Sequence, residues 1–398
     1  MKIGIDASRA NEKQKTGTEW YSYHLIQEMK KIAPENVEFV LYSKESLRDG
    51  LENLPKNFKS KILKWPPKFL WTQLRLSWEM LWHKPNILFV PAHTIPIIHP
   101  KNTFTILHDI GFEKFPELYS ERLIGYQNKI IKKIIWLIVK ILTLGRYGNT
   151  ELDYHRFSAR FALIHAKKII TVSQFSKDEM INTFKVSPKQ VVVIAPGYDS
   201  QYKPPLNEDK KAEEVLNKYK INKPYFLFIG RLEEKKNTAG IVESFGLFKT
   251  KVNNDYQLVL VGKQGYNFSR VEEGIKEYHL EKDVLMTGFA PDGDLPHLMQ
   301  QAYLFLMPSF YEGFGLPIIQ AMACGIPVIT SNFASMKEIA GDGALLVDPK
   351  NHLEIAEAMK NLSEDKVLRH KLIKRGFERI KKFSWQNCAK QTLQLLIS

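Results

Sequence analysis

Glu312 opens a loop, EGFGLP, that lies between a predicted buried strand (YLFLMPS) and an apolar helix. Gly313 and Gly315 let the backbone approach a ligand closely. Pro317 suits the first position of the helix, whose free N–H groups form an anion site. A carboxylate beside that site can accept hydrogen bonds from sugar hydroxyls. The combination of strand, glycine loop, proline and helix therefore indicates a phosphate-bearing sugar ligand, which a lone Glu would not.

A second candidate loop, FIGRLEEKKN, places Arg231 and Lys236 directly after another predicted strand. Two cations on one such loop can bind a diphosphate, because Arg offers a planar fork of donors and Lys a compact charge. A solvated basic loop is the alternative interpretation. The spacing alone leaves both open.

The first half of the chain has two further candidates. In KTGTEWYSYHL, Gly17 and Thr18 are predicted to lie in a loop before a helix that begins near Glu19. They are either a phosphate contact or a simple turn with a helix cap. In FTILHDI, His108 follows a predicted strand and is placed for chemistry, although a structural histidine would look the same.

The elements that position these loops are short apolar strands alternating with helical patterns. Continuous apolar strands of this kind indicate parallel sheets covered on both faces. A proline-rich and charged stretch, Tyr202 to Pro224, divides two such series. We therefore expect an α/β protein with two doubly wound domains, residues 1–203 and the part from 204 onward, which face each other across a cleft. Ligands then bind at the carboxyl ends of the strands.

Composition narrows the class of protein. The chain has 398 residues, 44% hydrophobic, and a formal net charge of +14. That charge favours an anionic partner, but no zinc-finger or RNA-binding motif supports specific nucleic-acid binding. Two cysteines, Cys324 and Cys388, are expected to be small buried residues in a reducing compartment. The N-terminus MKIGIDASRA lacks the apolar core of a signal peptide, so a cytoplasmic location is expected.

Two helical stretches carry apolar side chains at helical spacing. Trp71, Leu74, Trp78 and Trp82 recur every three or four residues, which predicts a buried helix face rather than a ligand platform. Residues 122–149 contain six basic residues and no acid. This second stretch is either a basic amphipathic helix in a membrane interface or a packed helix with solvated lysines.

The whole chain resembles the retaining glycosyltransferases of family 4, which have two Rossmann-like domains in the GT-B arrangement. The motifs that carry the resemblance, in chain order, are TGTEWY, LHDIGFEKFPELYS, TVSQFSKDEM, GRLEEKKN, LVGKQG, VLMTGFAPDGDLPHLMQQAYLFLMPSFYEGFGLP, ACGIPVITSN and FSWQNCAKQTLQLL. The resemblance implies a donor-binding domain at 204–375, an acceptor-binding domain at 1–203, and a terminal helix at 376–398 that crosses back to the first domain.

The resemblance also implies roles for single residues. Arg231 and Lys236 would neutralise the donor diphosphate, His108 would contact the transferred sugar, and Glu312 would hold the sugar's ring hydroxyls. The remaining donor contacts would come from Gly17, Thr18, Gly288, Phe289, Ala290, Phe314, Gly315, Leu316 and Gln320. The implied reaction is metal-independent front-face substitution with retention, in which the leaving diphosphate takes the acceptor's proton. No metal-ligand cluster is predicted.

Position 320 departs from the family pattern, which has Glu there. An amide offers one acceptor oxygen where a carboxylate offers two, so Gln320 is expected to weaken the ribose contact by about 1 kcal/mol. Because this position lies away from the reacting bond, an active enzyme is the favoured interpretation. The alternatives are a catalytically silent scaffold that binds nucleotide or a partner, and a GT-B epimerase or phosphorylase.

The substrates that the resemblance favours are a nucleoside diphosphate hexose and a lipid-linked or cell-surface glycan. GDP-mannose is the preferred donor, with UDP- and dTDP-sugars left open. Contact of 122–149 with an anionic membrane would place the enzyme peripherally on the cytoplasmic face. The linkage and the oligomeric state are not predicted.

Overall fold

The computed structural model describes residues 1–65, 70–119, 133, 136, 137, 140, 145, 148, 150–205, 209–252 and 255–398. The chain divides into two compact units. Unit 1 comprises Met1–Gly197 and Ser384–Ser398, and unit 2 comprises Tyr198–Phe383.

Unit 1 contains a seven-stranded parallel sheet in the order β3-β2-β1-β4-β5-β6-β7. Its elements are β1 (Lys2–Asp6), α1 (Gly17–Ile32), β2 (Glu38–Ser43), β3 (Phe58–Ile62), a π-helical turn (Trp71–Leu76), α2 (Ser77–His83), β4 (Ile87–Val90), β5 (Thr103–Ile106), α3 (Gly111–Lys114), a 3₁₀ turn (Pro116–Leu118), α4 (Glu151–His165), β6 (Lys168–Thr171), α5 (Gln174–Phe184), β7 (Val191–Val193) and α14 (Trp385–Ile397). Strands β4 and β5 are buried at every residue, as the continuous apolar runs predict.

Unit 2 contains a six-stranded parallel sheet in the order β10-β9-β8-β11-β12-β13. Its elements are α6 (Lys210–Lys218), β8 (Tyr225–Ile229), a 3₁₀ turn (Glu234–Lys236), α7 (Thr238–Lys251), β9 (Gln257–Val261), α8 (Ser269–Glu277), β10 (Val284–Gly288), α9 (Leu295–Gln300), β11 (Leu304–Met307), α10 (Leu316–Ala323), β12 (Val328–Ser331), α11 (Ala334–Ala340), β13 (Leu345–Val347), α12 (His352–Glu364) and α13 (Lys366–Ile380). The predicted α/β class with two doubly wound parallel sheets is confirmed.

The unit boundaries differ from the predicted ones at 203/204 and 375/376. Residues that precede 204 stay with unit 2 because the Gln300 side chain donates a hydrogen bond to the Lys203 carbonyl at 3.0 Å. Helix α13 also stays in unit 2, where Gly376 packs closely on Met322 of α10. The element that returns to unit 1 is α14, which packs against α1.

The predicted burial of the tryptophan helix is wrong for most of its members. Trp71 is buried and donates its indole N–H to the Leu63 carbonyl at 2.9 Å. Leu74, Trp78 and Trp82 are exposed instead, because the helix packs on unit 1 through its opposite side. Spacing identifies a helix face but cannot tell which face points inward.

Most of the second helical stretch, 122–149, lies outside the described residues. Of the part that is described, Trp136 is exposed, and the Lys140 ammonium lies 4.1 Å from its ring centroid. None of the helices in the described ranges is both long and apolar enough to span a bilayer. Both cysteines are buried, as predicted.

Candidate active site

The candidate site of unit 2 lies where the strand order of its sheet reverses. The chain runs outward from β8 through β9 to β10 and then returns to β11, which pairs with β8 on the other side. Loops that follow the carboxyl ends of such neighbouring strands form the usual ligand site of a doubly wound sheet. Arg231 and Lys236 follow β8, and Glu312 follows β11.

The structure brings two of the predicted catalytic residues into direct contact. Lys236 donates a hydrogen bond from Nζ to Oε1 of Glu312, across 76 positions of sequence. The two side chains are only 19% and 10% exposed. The ammonium has three donors, so two remain for phosphate oxygens.

The loop after β8 is fixed to its neighbours by one buried side chain, Asn237. Its Nδ2 donates to the carbonyl of Pro308 at 3.1 Å and to that of Pro349 at 2.6 Å. Asn237 adopts a left-handed conformation with φ 55°, which turns the chain from the 3₁₀ turn into α7. We call this arrangement the Asn237 clamp, because it ties the Lys236 loop to the loops after β11 and β13.

Backbone and hydroxyl hydrogen bonds hold the Glu312 loop. The Phe310 N–H donates to the Lys235 carbonyl at 3.0 Å, which joins the two site loops directly. Ser335 donates its hydroxyl to the Glu312 carbonyl at 2.7 Å, and Ser331 donates to the Ser309 carbonyl at 2.5 Å. These hydrogen bonds therefore fix the Glu312 loop within the folded unit.

Gly315 leads from the loop into α10. It has φ 88°, and a Cβ there would lie 2.8 Å from the Cδ1 of Ile318, so a side chain is disfavoured. Leu316 is the first helical residue and Pro317 the second, one position later than predicted. The Phe314 ring is buried edge-on against Phe383, which leaves its backbone to line the site.

Arg231 stands apart from the Lys236–Glu312 pair. Its side chain is 61% exposed, and its Nε lies 3.8 Å from Glu233 Oε2. Its position depends on two glycines, because a Cβ on Gly262 would lie 1.8 Å from the carbonyl oxygen of Gly230. The exposed guanidinium remains available to an anionic ligand.

The predicted base-framing loop follows β10 at the same edge of the sheet. Gly288 has φ 66°, and its carbonyl accepts from the Gly262 N–H at 2.9 Å. Phe289 is partly exposed, with the Lys263 ammonium 4.9 Å from its ring centroid, whereas Ala290 is buried. The exposed aromatic ring is the part of this loop that can stack on a planar ligand.

Gln320 lies in the second turn of α10 and is partly buried. Its carbonyl accepts the Cys324 N–H at 3.0 Å. Its side-chain amide makes no hydrogen bond to another residue of the described ranges, so it can serve a ligand.

The remaining predicted residues belong to unit 1. Gly17 and Thr18 are the first two residues of α1, not a loop before it, and this corrects the predicted helix start. Thr16 is the N-cap, and its backbone N–H donates to Glu19 at 3.2 Å. Burial alone would raise the pKa of Glu19, but the Thr16 hydroxyl and Arg9 hold that pKa below its usual value.

His108 follows β5 and is held by aromatic rings. Tyr21 meets its ring edge-on with centroids 4.9 Å apart, and Trp385 of α14 packs against Tyr21 at 5.3 Å. The His108 Nε2 atom is buried and has no hydrogen-bond partner among the described residues. Burial lowers the pKa of His108 to about 4, although Asp109 and Glu19 oppose the shift. His108 is therefore a neutral imidazole near pH 7.

This pKa predicts a pH-dependent stability. Above pH 6.5 the imidazole is neutral in both the folded and unfolded states, but between pH 6.5 and 4 only the unfolded state takes up the proton. Folding stability is therefore lost as the pH falls through this window, by about 2 kcal/mol at pH 5. We expect His108→Asn to remove this slope in denaturant titrations at pH 7, 6 and 5. The exposed His370→Asn serves as the control, and parallel curves for all three proteins would contradict the assignment.

Sequence reasoning missed a second histidine site in unit 1. His93 follows β4, and its Nε2 lies 3.0 Å from Nδ1 of His155 on α4. Burial, and then the neighbouring His155 and Arg9, lower the pKa of His93 well below its usual value. The sequence indicates only that His93 follows a predicted buried strand. Its partner His155 is 62 positions away, so the pairing could not be predicted from spacing.

No group of three His, Cys, Asp or Glu that could hold a metal ion occurs within the described ranges.

Comparisons with known proteins agree with this fold. Residues 209–379 match the family model of glycosyl transferases group 1. The chain is 31% identical over 333 residues to O-antigen chain mannosyltransferase B of Escherichia coli, which covers 82% of this chain and 76% of that protein. It is 25% identical over 335 residues to O-antigen chain mannosyltransferase RfbU of Salmonella typhimurium, with 84% and 80% covered. The solved structure of Anabaena HepE in complex with UDP and glucose has a TM-score of 0.69 at 17% identity, with 100% and 99% covered.

Two Rossmann-like parallel-sheet units give the chain the GT-B fold of this solved structure. The chain belongs to the group 1 glycosyltransferases, as its similarity along most of an O-antigen mannosyltransferase shows. The resemblance inferred from the motifs is confirmed.

Proposed function

We propose that this glycosyltransferase moves a hexose, with mannose favoured, from a nucleoside diphosphate sugar to a lipid-linked or cell-surface glycan. The observation that carries the proposal is the buried contact of Lys236 with Glu312 at the switch point of unit 2. The relatives named above, which act on O-antigen chains as mannosyltransferases, support the sugar and the class of acceptor. GDP is the preferred nucleotide, and the UDP in the HepE structure keeps UDP-sugars open.

The proposed reaction proceeds with retention and without a metal ion. The acceptor hydroxyl oxygen bonds to the anomeric carbon on the face from which the diphosphate leaves. The bond from that carbon to the leaving oxygen breaks, and the hydroxyl proton passes to the diphosphate. Arg231 and Lys236 stabilise the negative charge that develops there, and Glu312 holds the ring hydroxyls.

The other predicted contacts complete the proposal. In unit 2 the backbone of 314–316 would lie along the sugar and phosphates, 288–290 along the base, and Gln320 at the ribose. In unit 1, His108 would contact the transferred sugar, and Gly17 with Thr18 would contribute N–H groups from the start of α1. We also propose a cytoplasmic, peripheral location, with residues 122–149 in contact with an anionic membrane.

Gln320→Glu is expected to tighten donor binding by several-fold to tenfold, because charge-assisted hydrogen bonds to the ribose exceed neutral ones by about 1 kcal/mol. Calorimetric titration with the donor measures the change. Gln386→Glu adds the same charge at an exposed position of unit 1 and should have no effect. An unchanged or weaker donor affinity in Gln320→Glu would show that the side chain at position 320 does not contact the ribose.

The test of the function begins with thermal unfolding in the presence of GDP, UDP, ADP and dTDP, each with and without a hexose. A ligand at a hundred times its Kd should stabilise the fold by about 2.7 kcal/mol. The stabilising donor is then assayed for hexose transfer to lipid-linked glycans, and the anomeric configuration of the product is read by NMR. If both the unchanged chain and Gln320→Glu bind the nucleotide but transfer no hexose, the protein is a catalytically silent scaffold and the proposed function is wrong.

A further inference from the structure

An exposed apolar surface on unit 1 serves no part of the proposed reaction. Leu74, Trp78, Leu81 and Trp82 share one side of the helix formed by the π-helical turn and α2, at spacings of four, three and one. Trp78 and Trp82 are 62% and 66% exposed, with ring centroids 6.3 Å apart. The exposed side chains of Ile97 and Ile98 adjoin this side, because the Ile98 N–H donates to the Ser77 hydroxyl at 3.2 Å. We call these six residues the tryptophan face.

The tryptophan face is rigidly mounted. Leu76 and Met80, on the opposite side of the helix, are fully buried in the core. The Gln73 amide donates to the Tyr154 hydroxyl of α4 at 3.0 Å. The two tryptophans therefore project from a well-anchored helix, and large apolar groups exposed together on a fixed surface indicate an interaction site.

The stretch of sequence that carries the tryptophan face has an excess of positive charge. Between residues 53 and 108 the sequence holds eight Lys and Arg and a single acid, Glu79. That acid is buried and satisfied internally: Lys61 pairs with it, Arg75 lies 3.7 Å away and His83 3.5 Å away. Lys59 pairs with Glu38 at 3.1 Å, so its charge is offset. Lys56, Lys64, Lys84 and Lys101 are exposed and form no ion pair within the described ranges, and Lys84 lies two positions after Trp82.

We propose that the tryptophan face docks unit 1 onto an anionic lipid bilayer. Tryptophan is the residue that prefers the boundary between headgroups and acyl chains, and flanking cations add attraction to anionic headgroups. The combination of two neighbouring tryptophans with a cationic surround favours lipid over a second copy of this chain, whose own face would carry the same positive charge. This surface is distinct from residues 122–149.

The proposal is tested by flotation of the full chain with vesicles of phosphatidylcholine containing phosphatidylglycerol. The double variant Trp78→Ser/Trp82→Ser is expected to lower the bound-to-free ratio by roughly tenfold or more, because two exposed indoles no longer enter the interface. Vesicles of phosphatidylcholine alone should bind the unchanged chain less than the anionic ones do. Vesicle binding requires neither donor nor acceptor, so its failure would overturn the proposed peripheral location but leave the proposed sugar transfer standing.

Two controls make the result specific. Leu353→Ser/Val367→Ser removes two exposed apolar side chains of unit 2 and should bind like the unchanged chain. Trp136→Ser tests the basic segment and should retain most of the binding. Equal binding by the Trp78/Trp82 variant and the unchanged chain would overturn the proposal, as would a loss confined to Trp136→Ser. A dimer that the Trp78/Trp82 variant abolishes, without vesicle binding, would assign the face to a second copy instead.

Discussion

Lys236→Met is expected to lower kcat/KM for sugar transfer by about 10²- to 10³-fold, the usual effect of removing one group that stabilises developing charge. Methionine retains an unbranched apolar stem of similar length but has no charge to offer the leaving diphosphate. The contact with Glu312 is lost at the same time, so the carboxylate that should hold the sugar loses its partner. Steady-state kinetics with the identified donor measure the effect.

Lys276→Met is the matched control. Lys276 lies at an exposed position of α8 in the same unit, so activity should stay within about threefold of the unchanged enzyme. Glu312→Gln gives a second measurement, because it removes the charge of the partner and keeps its shape. Full activity in Lys236→Met, with an unchanged melting temperature, would show that the pair has no part in transfer.

Asn237→Ala is expected to lower the free energy of unfolding of unit 2 by about 2–4 kcal/mol. Two buried carbonyls, those of Pro308 and Pro349, lose their donor. Alanine is also less suited than asparagine to the left-handed backbone at this position. Because the clamp aligns the Lys236 loop with the Glu312 loop, transfer should fall in the variant even at temperatures where it remains folded. Urea unfolding and kinetics together test both expectations.

Asn267→Ala separates the clamp from the backbone conformation. Asn267 has a similar φ of 57° but is exposed, so its replacement should show only the conformational penalty of about 1 kcal/mol. Asn237→Gly relieves the conformation without restoring the hydrogen bonds and should be intermediate. Equal effects of Asn237→Ala and Asn267→Ala would show that the two carbonyl contacts contribute nothing.

The strands and their loops could be predicted because parallel strands buried on both faces are continuously apolar. The unpredicted strands are informative. Strand β3, FKSKI, alternates with lysines because it is an edge strand, and β13 has only three residues. An edge strand or a very short strand lacks the continuous apolar run from which the other strands were predicted.

The contacts within the site could not be predicted in the same way. That Lys236 and Glu312 each follow a strand is visible in the sequence, but their contact depends on β8 and β11 being neighbours. An asparagine after two lysines looks like any polar loop residue, so the Asn237 clamp gives no local signal. The start of α1, by contrast, could have been predicted from the sequence, because Thr16 and Glu19 have the threonine-to-glutamate spacing of a capping box.

Each unit holds one of the chain's two cysteines. In unit 1, the Cys388 thiol on α14 lies 3.6 Å from the Tyr21 hydroxyl of α1, and in unit 2 Cys324 follows α10. Burial raises the pKa of both thiols to about 12. An exposed thiolate is the nucleophile that attacks a thiol reagent, so each cysteine can react only when its surroundings open. The labelling rate of Cys388 therefore reports how often α14 detaches from unit 1. The labelling rate of Cys324 reports how often unit 2 opens.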